Sequence, residues 1–226
     1  MRMIKVIAFD LDDTLLDTSG LLAPRFALAT FHFMIKKGLK INVKECEEIR
    51  KKLVTKVSHR EVFEKLAYEY GTQETVDNLP EIIDHFYNPI LPDQLPLMPG
   101  ARENIEYLKN KYTLYLVTAG AQTSQLSKAF AMGIVKDFKK VIVVNSLIRH
   151  RKADAFLKII NEEQIQASEL LCIGNSLVSE IADAIEIGAI ACHFDHGESR
   201  GSVENLSRKP HFYLKTHAEL IKACGL

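Results

Sequence analysis

The sequence predicts an α/β protein: a parallel sheet with helices on both faces and an all-helical domain inserted after the first strand. Three observations predict it. From Ala101 onward, short apolar runs alternate with helical stretches, the rhythm of a parallel sheet. Between residues 18 and 97 the pattern is helical, with no strand-like run. The first apolar run, Ile4 to Phe9, ends abruptly in Asp10, Asp12 and Asp13, and the carboxyl ends of strands are where open α/β sheets gather their chemistry.

Ile4–Phe9 is β-branched and apolar and reads as a buried strand. Leu21–Lys37 follows as a helix, with Pro24 tolerated in its first turn. Asn42 with Glu45, and Ser58 with Glu61, have capping-box spacing ahead of two more amphipathic stretches. A fourth helix is expected between Thr75 and Asn88, so the insert reads as four helices. Pro89, Pro92, Pro96, Pro99 and Gly100 mark its end. Then come helix 101–110, strand 112–117, helix 123–132, strand 141–144, helix 153–160, strand 170–173, helix 177–187, strand 189–194, a short strand near 212–214 and a last helix. The expected division is residues 1–17 with 98–226 as the α/β core and 18–97 as the helical insert, placed to roof the acidic strand mouth.

A chain of 226 residues can bury one substantial core and carry a smaller second unit. Lysine plus arginine equals aspartate plus glutamate at 29 each, so no long-range basic field exists to gather nucleic acid, and no membrane partner is expected. Cys46, Cys172, Cys192 and Cys224 lack C-x-x-C spacing, and Cys172 and Cys192 lie inside apolar runs. Asp10 interrupts the early apolar run, so no signal-peptide pattern forms and a cytoplasmic protein with reduced thiols is expected. Monomer and homodimer both remain open.

The strand ends, in order, present Asp10 and Asp12, then Thr118-Ala119-Gly120, then Arg149-His150-Arg151-Lys152, then Gly174-Asn175-Ser176. Carboxylates clustered at a buried strand mouth repel one another unless a cation offsets them, which suits a hard metal such as Mg²⁺, with Mn²⁺ a second candidate. Asp10 and Asp12, two apart in an extended segment, should share a facing that Asp13 does not. Thr118 is a plain cap or an anion ligand, and the small residues after it would leave backbone N–H groups free for an anion. Lys152 at a helix start is unfavourable for the helix dipole, which hints at another role. Asn175 is a cap or an oxygen ligand of the metal, and Glu180 is a ligand, a water-mediated ligand or an orienting group. Together these groups describe phosphoryl transfer.

With these motifs the chain resembles the haloacid dehalogenase-like hydrolase superfamily over nearly its whole length. D-L-D-D-T-L at 10–15 is similar to that family's first motif, Thr118 to its second and Lys152 in K-A-D-A-F to its third, and the insert resembles a C1-type helical cap. The resemblance implies that Asp10 is phosphorylated and that Asp12 acts as acid/base and lends its carbonyl to Mg²⁺. It also implies that Thr118, Ala119, Gly120 and Lys152 hold the phosphate, with backbone N–H groups near Leu11. Asp10, Asp12 and Asn175 would be the metal ligands, with Glu180 less central. The fourth motif departs from the pattern: Asn175 and Glu180 stand where phosphatases of the family have aspartates, so weaker Mg²⁺ binding is expected. Dehalogenases of the family lack the second aspartate, so Asp12 points to a phosphate ester.

The expected activity is hydrolysis of a small phosphorylated metabolite. The alternatives are a sugar phosphomutase on the same scaffold and a phosphate-ligand binding protein with weakened catalysis. Thr14 and Asp13 read as structural. The run His193-Phe194-Asp195-His196 is set aside as a metal site because loop polarity explains it. Arg25, His59 and Arg60 are the insert's candidate specificity residues, and Phe26, Phe31 and Phe33 read as packing.

Overall fold

The computed structural model describes residues 4–145, 151–198 and 201–226. In chain order, β1 (Val6–Phe9) leads through a π-helical turn (Thr18–Leu22) into α1 (Ala23–Lys36), α2 (Val43–Leu53), α3 (His59–Tyr70), α4 (Gln73–Asp77) and α5 (Leu79–Tyr87). Then follow α6 (Ala101–Leu108), β2 (Thr113–Ala119), α7 (Gln122–Ala131), β3 (Lys140–Val144), α8 (Lys152–Glu163) and β4 (Leu170–Gly174). The chain closes with α9 (Glu180–Glu186), β5 (Ile190–Phe194), β6 (Phe212–Leu214) and α10 (His217–Cys224). Among the described residues no helix is long and apolar enough to cross a membrane.

Two compact units result: Met1–Asp17 with Leu91–Leu226, and Thr18–Ile90. The second boundary therefore falls just after Pro89, between Ile90 and Leu91, rather than at 97/98. Backbone hydrogen bonds explain the difference, because Leu95 N–H donates to Ala131 (3.0 Å) and Met98 N–H to Leu15 (2.8 Å), both within the α/β unit.

The α/β unit is built on one six-stranded sheet in the order β3-β2-β1-β4-β5-β6, every pairing parallel. Its central strands, VIAF in β1, LLCIG in β4 and IACHF in β5, are buried at every residue. Successive side chains of a strand point to opposite faces, so full burial requires cover on both. On one face Val6, Ala8, Tyr115, Val117, Cys172 and Ala191 pack with Phe156 and Ile159 of α8 and Ile181 and Ala184 of α9.

The inserted unit holds five α-helices and no strand among the described residues. Both expected capping boxes are present: Asn42 with Glu45 opens α2, and Ser58 with Glu61 opens α3. The single helix expected over 75–88 is two. Pro80 in the first turn of α5 lacks an N–H and cannot continue the bonding ladder of α4, so the chain breaks at Asn78 and restarts. Phe26 and Phe31 are buried, and Phe33 stacks on His85 at 5.2 Å. His59 stacks on Phe86 (4.5 Å) and lies 3.2 Å from the buried Arg50, while the exposed Arg60 bonds Glu64 one turn on.

Candidate active site

The sheet order reverses direction between β1 and β4, the crevice at which doubly wound sheets bind ligands. Phe9 at the end of β1 lies level with Leu116 of β2 and Ile173 of β4, and Asp10 N–H donates to the Ile173 carbonyl at 2.9 Å. Asp10, Thr118 and Asn175 thus emerge from three adjacent strands at one edge, all three buried.

Lys152, the first residue of α8, reaches this edge, with Nζ 2.7 Å from Asp10 Oδ1 and 2.9 Å from Glu180 Oε2. Two carboxylates face one ammonium in a site where all three side chains are at most 8 % exposed. Burial, opposed by Lys152 and reinforced by Glu180 and Asp12, pushes the Asp10 carboxyl up to about 7. Burial alone would lower the Lys152 ammonium, but Asp10 and Glu180 outweigh it and hold that group well above the usual lysine range. Two carboxylates on one ammonium, with oxygens of Asp10 and the Asn175 side chain at adjacent strand ends, suit a hard divalent cation.

Both Glu180 oxygens are engaged by the protein, the arrangement expected of an orienting group. Its Oε2 meets Lys152 and its Oε1 accepts from Ser176 N–H, so it orients Lys152. Gly174 is what lets it fold back: a Cβ there would lie 2.3 Å from Glu180 Cγ. Because Glu180 turns back on Ser176, α9 starts at residue 180 rather than at Leu177.

Asp12 does not share the Asp10 partner. Strand geometry stops at Phe9, so the alternation rule does not carry through, and Asp12 turns toward α7. Its Oδ1 accepts from Lys128 Nζ at 2.7 Å and its Oδ2 from Gln125 Nε2 at 3.0 Å. Thr118 Oγ1 donates to Gln125 Oε1 at 3.0 Å. Ala119 closes β2, and Gly120 N–H donates to the Val144 carbonyl at 3.0 Å, so the free backbone donor expected at Gly120 is taken by sheet pairing. Gln125 and Lys128 were missed in the sequence; their signal is spacing of three on the helix after Thr118, which puts them on one face.

On the other side, His193 Nε2 lies 3.0 Å from the Asn175 carbonyl, and Asn175 Nδ2 donates to the His196 carbonyl at 3.1 Å. An aspartate at 175 could not make that second bond and would set two oxygens against each other. Asn175→Asp is therefore expected to be less stable than the parent by about 1–3 kcal/mol in chelator, and to regain more melting temperature than the parent when Mg²⁺ is added. Thermal melts with and without Mg²⁺ check this. His196, set aside in the sequence, lies 2.9 Å from Asp17, and ligand atoms of Asp13, Asp17 and His196 all fall within 4.8 Å of one another.

Thr14 does not stabilise its turn through its hydroxyl, which is buried with no hydrogen-bond partner among the described residues. Its carbonyl accepts from His217 Nε2 at 2.7 Å, and Asn104 Nδ2 lies 3.3 Å from His217 Nδ1, a pattern that needs the neutral imidazole. Burial holds the His217 pKa below the usual histidine range. The unfolded chain then takes up a proton at a pH where the native chain does not, so this group lowers stability as pH falls below about 6.5, by at most ~1.4 kcal/mol per pH unit. The raised Asp10 carboxyl acts in the opposite sense over the same window, so the expected result is a difference: between pH 7.5 and 5.5 the melting temperature of His217→Gln should fall less, or rise more, than that of the parent.

Of the basic tract, Arg149 and His150 lie outside the described residues. Arg151 pairs with Asp183 and Glu186 (2.6 Å) rather than facing the strand ends, and Asp183 also accepts from Ala153 N–H at 2.9 Å. Glu180 and Asp183, one turn apart on α9, are both buried.

The description haloacid dehalogenase-like hydrolase matches residues 4–188. A glyceraldehyde 3-phosphate phosphatase of Pyrococcus abyssi is 30% identical over 214 residues, covering 87% of this chain and 83% of that protein. Among solved structures, a phosphatase from Thermococcus onnurineus superposes with TM-score 0.65 at 21% identity over 97% of each chain. A 2-haloacid dehalogenase from Pseudomonas syringae does so with TM-score 0.59 at 21% identity over 99% of each. At such identities the structures share a fold and do not choose between the two chemistries. The chain belongs to the haloacid dehalogenase-like hydrolase family.

Proposed function

We propose that this chain hydrolyses a small phosphate monoester through an aspartyl-phosphate on Asp10. The observation that carries the reading is Asp10 held against Lys152 at the sheet's switch point, with a second carboxylate, Asp12, two residues on and a different set of donors around it. One Asp10 oxygen attacks phosphorus as the ester P–O bond breaks, and Asp12 delivers a proton to the departing alkoxide. Water then attacks phosphorus, Asp12 takes its proton, and Asp10 leaves as a carboxylate. Lys152 and Thr118 neutralise and bind the transferring oxygens. Bound among Asp10, the Asp12 carbonyl and Asn175, Mg²⁺ would supply further charge stabilisation for those oxygens.

The phosphatase relative points to triose phosphates as the first substrates to try. A cytoplasmic setting agrees with four free cysteines. Engagement of both Glu180 oxygens favours a second reading, a phosphate-ligand binder with little turnover. Phosphate release from small monoesters, glyceraldehyde 3-phosphate included, with Mg²⁺, Mn²⁺ or chelator, decides between them. Metal-dependent release supports hydrolysis, and binding without release across the screen overturns it.

A further inference from the structure

Asp12 is gripped at both oxygens by two side chains that no motif requires. Gln125 and Lys128 stand three residues apart on α7, on one helix face, and both are buried although polar (5 % and 6 % exposed). Burying an amide and an ammonium is unfavourable unless their hydrogen bonds are met, and here Asp12 meets both. The packing around them is built for the purpose. Gly120 has φ +150° and lies under the Gln125 amide, where a Cβ would come within 2.9 Å of Nε2.

We infer that Gln125 and Lys128 are positioning residues that aim the Asp12 carboxylate and tie its placement to Thr118, an inference that rests on the acid/base role proposed for Asp12. The Thr118 hydroxyl has one proton, and it is given to Gln125 Oε1. A phosphate oxygen arriving at Thr118 competes for that proton. Once Thr118 turns to phosphate, the Gln125 amide is released at Oε1 while Nε2 keeps its bond to Asp12 Oδ2, so Gln125 and Lys128 together are free to carry the carboxylate toward the leaving group. Phosphate binding and placement of the proton-transfer group are thereby linked through one glutamine.

The test uses the full chain and compares p-nitrophenyl phosphate, whose leaving group needs little protonation, with an alkyl phosphate that the parent hydrolyses. For Lys128→Met the expected result is a fall in kcat of about 10–100-fold on the alkyl ester, less than about threefold on the aryl ester, and KM within about twofold on both. Gln125→Leu should show the same selectivity and carries the test if Lys128→Met fails to fold, while Lys128→Arg should restore part of the alkyl activity. Equal losses on the two esters, unchanged kinetics, or a raised KM with kcat intact would overturn the inference, the last by making Lys128 a phosphate ligand. Those outcomes leave the phosphatase reading standing. A parent that releases no phosphate from either ester overturns that reading and this one with it.

Discussion

Asp10→Asn is expected to abolish phosphate release, a loss on the order of 10⁴-fold or more, as removal of a nucleophile causes in other hydrolases. The amide has nearly the shape of the carboxylate but is a poor nucleophile, so the loss falls on chemistry rather than on folding. Folding should be no worse than in the parent, because two buried carboxylates share one ammonium and the substitution removes one of the two. A phosphate-release assay beside a denaturation curve checks both halves. Full activity in the purified variant would remove Asp10 from the nucleophile's place.

Lys152→Met should fail in the opposite manner, losing stability as well as turnover. Asp10 and Glu180, 7 % and 2 % exposed, would be left in a buried site without their cation, which costs about 3–5 kcal/mol where a buried pair is broken from one side. Pairing it with Glu180→Gln should recover part of the loss, since the second change removes one of the stranded charges. Denaturant midpoints for the two single variants and the double variant measure the coupling. A Lys152→Met protein as stable as the parent would mean that the triad contributes nothing to the fold.

The strands were legible because buried parallel strands are written as short apolar runs: VIAF, LLCIG and IACHF stand out by composition alone. Asp10, Thr118 and Asn175 were legible because each ends such a run. What could not be read was which side chain meets which across the sheet edge. Asp12 and Lys128 are 116 residues apart, and the pairing depends on where α7 leaves β2. The Gly120 donor was misread because strand pairing runs one residue past the apolar segment, to the Val144 carbonyl. Glu180 stays open in the sequence among ligand, water-mediated ligand and orienting group, because spacing records its distance from Asn175 but not the turn that folds it back onto Ser176. The split of α4 from α5 was in principle visible at Pro80, whose missing N–H outweighed the helical pattern around it.

A covalent intermediate on Asp10 is detectable by rapid acid quenching during turnover, followed by mass analysis of the peptide bearing Asp10. The expected result is a fraction of that peptide heavier by one phosphoryl group and localised to Asp10. Asp12→Asn, impaired in the hydrolytic half, should accumulate more of it with an aryl phosphate. Steady phosphate release with Asp10 unmodified at every quench time, and with the phosphoryl group absent from Asp12→Asn as well, would contradict it.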